Sequence, residues 1–314
     1  MKKRMFVFLS VAVVSAAILF SCKKTPAPTV EIFSTIASYT VTFNPQVTNA
    51  DTYSWDFGDG TALSAEKNPV HTYESFGDYS VKLIVTGEGG TSTAYKVISI
   101  AATSIKDLLT GGIKAVNGKT WVMSREYNPG QDGGGPVMNE MPIIQPSAEN
   151  VLDLFGLGAE YDNEYTFYYD GKYKMYLGAG QASLAGAVYG VATGTIIGNP
   201  SYDIGMCAAA YTVPTGATWT ANTADFTVDA ITDPNTSDVP PVHGNVTFTG
   251  KNWISFSEGA FFGILDFPTT AKLIVKEITS DKMKVAMLLC GYGYDSEHVM
   301  LPTNIIHITF VVKK

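Results

Sequence analysis

The chain contains only three cysteines in 314 residues, Cys22, Cys207 and Cys290, which excludes a small fold stapled by disulfides. Charge is scarce too. Asp, Glu, Lys and Arg make up 16% of the residues, against about 25% in ordinary globular domains, and this excludes a disordered chain or a coiled coil. Basic residues are the minority, 21 against 29 acidic, and Lys2, Lys3 and Arg4 crowd the first four positions. A nucleic-acid partner, which requires clustered positive charge, is not expected. His71, His243, His298 and His307 are dispersed, with none at the spacing of a structural zinc site. The phosphate-loop, HExxH and GxSxG templates are absent, so nothing supports nucleotide, zinc-protease or serine-esterase chemistry. No long segment repeats its apolar residues at helical spacing. What is present is apolar and glycine-rich, 46% hydrophobic with 30 glycines, a composition suited to short strands joined by tight turns. The expected fold class is all-β.

The start of the chain reads as a signal peptide over residues 1–21. Lys2, Lys3 and Arg4 form a charged head, residues 5–20 are apolar, and the run ends in Leu19-Phe20-Ser21-Cys22. A cysteine directly after Leu-x-Ser resembles the lipobox of bacterial lipoproteins, whose thiol is acylated. The resemblance implies lipidation at Cys22 and a globular part anchored to the cell envelope, the outer membrane being the expected location. The alternative is an ordinary cleaved signal with a chance cysteine. Residues 22–29, with KKTPAPT after the cysteine, form a polar, proline-containing tether.

From about residue 30 the pattern changes. Tyr53, Trp55 and Phe57 alternate with polar residues and glycine, and Asp59-Gly60 supplies a tight turn; Val81, Leu83 and Val85 repeat the alternation. Tyr53-Ser54-Trp55-Asp56-Phe57-Gly58-Asp59-Gly60, followed by Pro69-Val70-His71-Thr72-Tyr73 and Gly77-Asp78-Tyr79-Ser80-Val81-Lys82-Leu83, resembles the PKD domain, an immunoglobulin-like β-sandwich, over residues 30–102. In that reading Trp55 is the core aromatic, and Asp56 and Asp59 bind turn amides in preference to a metal. The resemblance implies a spacer or adhesion module.

Residues 103–314 open with a short helical segment near Ser104 and continue as β-rich runs, among them those at 120–123, 165–169, 245–249, 253–256, 271–275, 283–287 and 305–312. Asp170-Gly171 and Thr249-Gly250 punctuate them as hairpin turns. A larger β-sandwich of jelly-roll type is the expected architecture. Lys119-Thr120-Trp121-Val122, the glycine-rich loop at 130–136, Tyr165-Thr166-Phe167 and Ser257-Glu258-Gly259 resemble the C-terminal domains that follow PKD modules in lipoproteins of Bacteroidetes type. Those domains are similar to concanavalin-like jelly rolls that bind glycans.

Sugars present apolar C–H faces to aromatic rings and hydroxyls to amides and carboxylates. Tyr127, Asn128, Gln131 and Asp132, together in one loop, have that chemistry; the plainer reading is a glycine-rich connection with Tyr127 packed on the sandwich edge. Trp219, flanked by two threonines, is the tryptophan expected to be exposed, whereas Trp121 and Trp253 belong in the core. Most of the tyrosines from Tyr161 to Tyr176 are expected to pack between strands. Glu160, Asp162 and Glu164 alternate, so on a strand they would share a face. That pattern resembles the ExDxE of jelly-roll glucanases, with Glu160 as nucleophile and Glu164 as acid/base. Gly156, Gly158 and Asp162-Asn163 favour a solvated loop instead. Asp229, Asp233 and Asp238 supply oxygen ligands that could hold a structural Ca2+; their spacing departs from an EF-hand, and a solvated turn-rich loop is preferred. No other cofactor is expected. Cys207 and Cys290 could form a bridge or remain two buried thiols.

These features point to a lipid-anchored, non-catalytic protein that binds an extracellular polysaccharide or cell-surface glycan, with the PKD domain as spacer. The alternatives are a glycoside hydrolase using Glu160 and Glu164, and a cell-adhesion protein with a protein partner.

Overall fold

The computed structural model describes residues 24–178, 180–201, 203–232, 243–257, 259–268, 271–291 and 300–314. Cys22 therefore lies outside the described residues. By packing, the chain divides into two compact units, one of residues up to 71 with 79–98, the other of residues 72–78 with 99–314.

The smaller unit consists of antiparallel strands around an aromatic core. Thr52–Asp56 pairs with Gly77–Gly87, placing Trp55 opposite Leu83 and Tyr53 opposite Val85. Alternation then turns Trp55, Leu83 and Val85 inward, where all three are fully buried. Trp55 stands 5.0 Å from the ring of Phe43, and its indole N–H donates to the carbonyl of Glu66 at 2.9 Å. The two motif aspartates close turns, as their spacing predicts: Asp56 accepts from the Gly58 amide at 3.0 Å, and Asp59 from the amide of Thr61 at 3.1 Å. Gly58 has φ 77°, and a Cβ there would lie 2.6 Å from the Ser80 carbonyl oxygen. Only glycine fits that turn. His71, which the motif alone did not single out, donates from Nε2 to Asp59 Oδ2 at 2.7 Å and stacks on Phe57 with centroids 4.0 Å apart.

The larger unit is a β-sandwich with unequal layers. A ten-stranded sheet carries, in spatial order, Tyr173–Tyr176, Glu164–Phe167, Lys119–Met123, Asn304–Val312, Lys282–Leu289, Lys272–Ile278, Asn252–Phe256 and Trp219–Asn222, with Gly133–Pro136 and Gln145–Pro146 off this path. On one face sits a three-stranded sheet of Ala182–Gly186, Met206–Ala210 and Ile196–Ser201. Between the two layers lies the main core, with Trp121, Phe167, Ala185, Cys207, Ile254 and Phe310 fully buried. The other face is covered by the hairpin of Phe226–Ile231 and His243–Phe248, whose Phe248 packs with Ile274, Ala286 and Ile305 in a second cluster. The helical segment expected near Ser104 is Ile105–Thr110, capped by the Ser104 hydroxyl and closed by Gly111 in the left-handed region.

One irregularity of the large sheet positions the candidate site. Asn304–Val312 pairs along its length with Lys282–Leu289. Its other edge is shared by two strands: Gly133–Pro136 takes residues 304–307, and Lys119–Met123 takes residues 310–312. The sheet forks near Ile308 and Thr309, and residues 124–132 bridge the fork. The glycine run predicted as a loop is thus a strand. A Cβ on Gly133 or Gly135 would lie 2.3 Å from the Gln145 carbonyl oxygen or 1.8 Å from that of Pro142. Side chains at those two positions would exclude the neighbouring segment.

Candidate functional site

A cavity of about 510 Å³ opens at this fork, within the size range of small-molecule sites. Three pieces of the larger domain wall it. Ser124, Arg125, Glu126 and Tyr127 come from the bridging segment; Val151, Leu152 and Leu154 from a four-residue helix, Val151–Leu154; and Leu184, Ile204 and Met206 from the three-stranded layer and its connection. Ile306 and Ile308 complete it from the forked strand. Both belong to the main core side of the sheet, so alternation turns the side chains of His307 and Thr309 to the opposite face.

The bridging segment is held by Asp132. Its Oδ2 accepts from the Asn128 amide at 2.9 Å and from Asn128 Nδ2 at 3.1 Å, while Oδ1 accepts from the Thr309 hydroxyl at 2.7 Å. The carboxylate is buried and both oxygens are engaged, which makes Asp132 a fastener of the loop. Of the four loop candidates, Tyr127 and Asp132 line the cavity and Asn128 and Gln131 do not; the Asn128 side chain turns to Asp132 and to Lys282, 3.4 Å away.

Arg125 stands at the cavity wall. Nη1 donates to Asp153 at 2.8 Å, Nη2 lies 3.6 Å from Asp162, and the guanidinium sits 4.5 Å from the ring centroid of Tyr161. Tyr161 in turn accepts from the Leu152 amide at 3.3 Å, tying the short helix to the wall. Burial pushes the Tyr161 hydroxyl above its ordinary pKa. Arg125 was not singled out from the sequence, although a signal existed: it is the only arginine after Arg4.

The other predicted residues are placed elsewhere. Trp219 is 5% exposed, which corrects its expected exposure. Its ring packs edge-on against Phe167 at 5.3 Å and its N–H donates to the Tyr168 carbonyl at 3.1 Å; the flanking threonines take the solvent side of the alternation. Tyr165 and Tyr173 are buried and Tyr176 is 55% exposed. Glu160, Asp162 and Glu164 do not share a strand face. Gly158–Asp162 is a 3-10 turn and the strand begins at Glu164. Nor is the turn wholly solvated: Glu160 is buried and accepts from Asn163 Nδ2 at 2.8 Å. Burial raises its pKa against the lowering effect of Asn163. Glu164 pairs with Lys313. Asp229 pairs with His243 at 2.7 Å, and Asp233 and Asp238 lie outside the described residues. Among the described residues no three carboxylate, thiol or imidazole side chains are grouped to hold a metal ion. Cys207 and Cys290 are both buried and neither is in a disulfide.

Comparison with known proteins assigns the smaller unit. Residues 25–102 match the family model described as PKD domain, so this part of the chain is a PKD domain and begins inside the expected tether. A microbial collagenase of Vibrio alginolyticus is 48% identical over 56 residues, 18% of this chain and 7% of that protein. The chain thus spans a small fraction of the curated relatives it matches. Among solved structures, the PKD1 domain of the Vibrio cholerae metalloprotease PrtV is 30% identical, with a TM-score of 0.23, covering 24% of this chain and 99% of that one. A carbohydrate-binding module of the β-sandwich superfamily overlays 92% of this chain and 93% of its own at 12% identity and a TM-score of 0.27, a superposition too loose to carry an argument.

Proposed function

We propose that this chain is a lipoprotein of the cell envelope, acylated at Cys22, whose larger domain binds an extracellular polysaccharide without cleaving it and whose PKD domain serves as spacer. The observation that carries the reading is the cavity at the forked sheet, where Tyr127 and Asp132 of the loop with sugar-binding chemistry stand beside Ser124, Gln145 and Ser147 and an apolar wall. Concave sites with apolar walls and a few polar groups are where ligands bind. The non-catalytic part of the reading is supported by the engagement of the two glutamates: Glu160 is buried against Asn163 and Glu164 is neutralised by Lys313. A retaining glycosidase needs two carboxyl groups facing one substrate, about 5 Å apart. The reading needs no cofactor.

Titrating the purified chain against a glycan panel tests it: the proposal expects at least one polysaccharide to bind and no reducing sugar to be released. Sugar release abolished by Glu160→Gln or Glu164→Gln would instead establish the glycosidase. For the anchor, Cys22→Ser is expected to move the protein from the membrane fraction to the soluble one, and continued sedimentation without detergent would contradict it.

A further inference from the structure

The side chains of the cavity specify more than that a ligand enters. Leu152, Leu184, Met206, Ile306 and Ile308 give it an apolar interior, able to take hydrocarbon out of water. Its charged groups are unevenly satisfied. Arg125 is engaged by Asp153, by the Gly158 carbonyl at 3.3 Å and by Asp162, so it offers no free positive charge. Asp132 is engaged on both oxygens. Glu126 and Asp203, both exposed and both in the lining, take part in none of the described ion pairs. An anion entering there meets two uncompensated carboxylates. A neutral, hydroxyl-bearing group meets Ser124, Gln145 and Ser147 in the same lining, which can donate and accept.

We propose that the cavity seats an uncharged apolar substituent, an alkyl or aryl group, carried on a neutral hydroxyl-rich head. This rests on the reading of the larger domain as a glycan binder and names the kind of glycan: neutral and hydrophobically substituted. The size fits, because about 510 Å³ accommodates a chain of several methylenes or a ring, and the interior offers little to a bare sugar.

The test uses the purified unacylated full chain with alkyl β-glucosides below their micellar concentrations, measured by calorimetry. From butyl to octyl glucoside, affinity is expected to rise about fourfold per methylene, the equivalent of ~0.8 kcal/mol for each one buried. Octanoate, with an equally apolar chain but an anionic head, is expected to bind about tenfold or more weakly than octyl glucoside. Ala148 is exposed and lines the cavity, so Ala148→Trp blocks it with little threat to folding and is expected to abolish the chain-length dependence. Glu126→Gln combined with Asp203→Asn, both at exposed positions, is expected to raise octanoate affinity by more than that for octyl glucoside and so narrow the gap between the two. Equal affinities along the alkyl series, octanoate binding as tightly as octyl glucoside, or unaltered binding by Ala148→Trp would each overturn the proposal. Polysaccharide binding that persists in Ala148→Trp overturns this inference while the proposed function stands. Alkyl glucoside binding with no polysaccharide bound does the reverse.

Discussion

The two domains differ in where their structural carboxylates find hydrogen-bond partners. In the PKD domain they act locally. Asp56 and Asp59 bind amides two residues ahead of them, and although burial alone would raise the Asp59 pKa, hydrogen bonds from Thr61 and His71 outweigh it and hold it below its ordinary value. In the larger domain the partners come from across the sheet. Asp132 reaches Thr309, 177 positions away, and Asp266 accepts from the amide of Cys290 at 2.6 Å. Burial raises Asp266 to about 7. His307, buried with Lys276 3.1 Å from its Nδ1, is lowered by burial and by that lysine to about 4. Local satisfaction makes a turn a short motif can specify, whereas distant satisfaction makes a site that only the folded sheet assembles.

The largest expected effect is on the PKD core. Trp55→Ala removes a fully buried ring and the donor to Glu66, so a loss of about 3–5 kcal/mol is expected. Denaturant unfolding followed through the PKD transition measures it. Because the core clusters of the larger domain do not include Trp55, its transition should hold its midpoint.

The next effect concerns pH in the larger domain. Between about pH 4 and 7 folded Asp266 holds a proton that the unfolded chain has released, so acidification through that window stabilises the fold. His307 has the opposite sign: the unfolded chain takes up a proton below about 6.5, the folded protein refuses it until about 4, and acidification destabilises. Each contributes at most about 1.4 kcal/mol per pH unit, and between about pH 4 and 6.5 they oppose each other. Asp266→Asn should therefore unmask a loss of stability on acidification, and His307→Gln a gain. Urea midpoints at about pH 4.5 and 6.5 read both, and parallel slopes for the two variants would refute the pairing.

A smaller loss, about 2 kcal/mol, is expected from Asp132→Ala, which leaves the Thr309 hydroxyl and the Asn128 amide without their acceptor. Thermal unfolding measures the stability, and loss of octyl glucoside affinity would report displacement of Tyr127. Smallest is Arg125→Ala. Its ion pair with Asp153 is 45% exposed on both sides, worth under about 1 kcal/mol, and a double-mutant cycle with Asp153→Ala should give a coupling of that size.

How much of this was legible in the sequence follows the same division. The PKD motif states its own turns, and the strands carrying β-branched or aromatic alternation, such as Lys282–Leu289 and Asn304–Val312, fall where the pattern placed them within a residue or two. The three-stranded layer escaped notice because Ala182–Gly186 and Met206–Ala210 read ASLAG and MCAAA. Small residues have low strand propensity and no visible alternation when both faces are covered. That layer supplies Leu184 and Met206 to the cavity, so the cavity was unreadable with it. Tyr127 and Asp132 were legible by chemistry, Asp132 for the wrong task, since its partner Thr309 is known only once the strands pair. Trp219 misled because two flanking threonines indicate a solvent-facing strand edge without telling which face the tryptophan takes.

The central claim is that ligand affinity resides in the larger domain and passes through the forked sheet. The most direct measurement titrates the polysaccharide that binds best on the panel against three samples: the full chain, a fragment of residues 25–102, and the full chain carrying Ala148→Trp. The account predicts binding by the first alone. Equal affinity in the PKD fragment would contradict it.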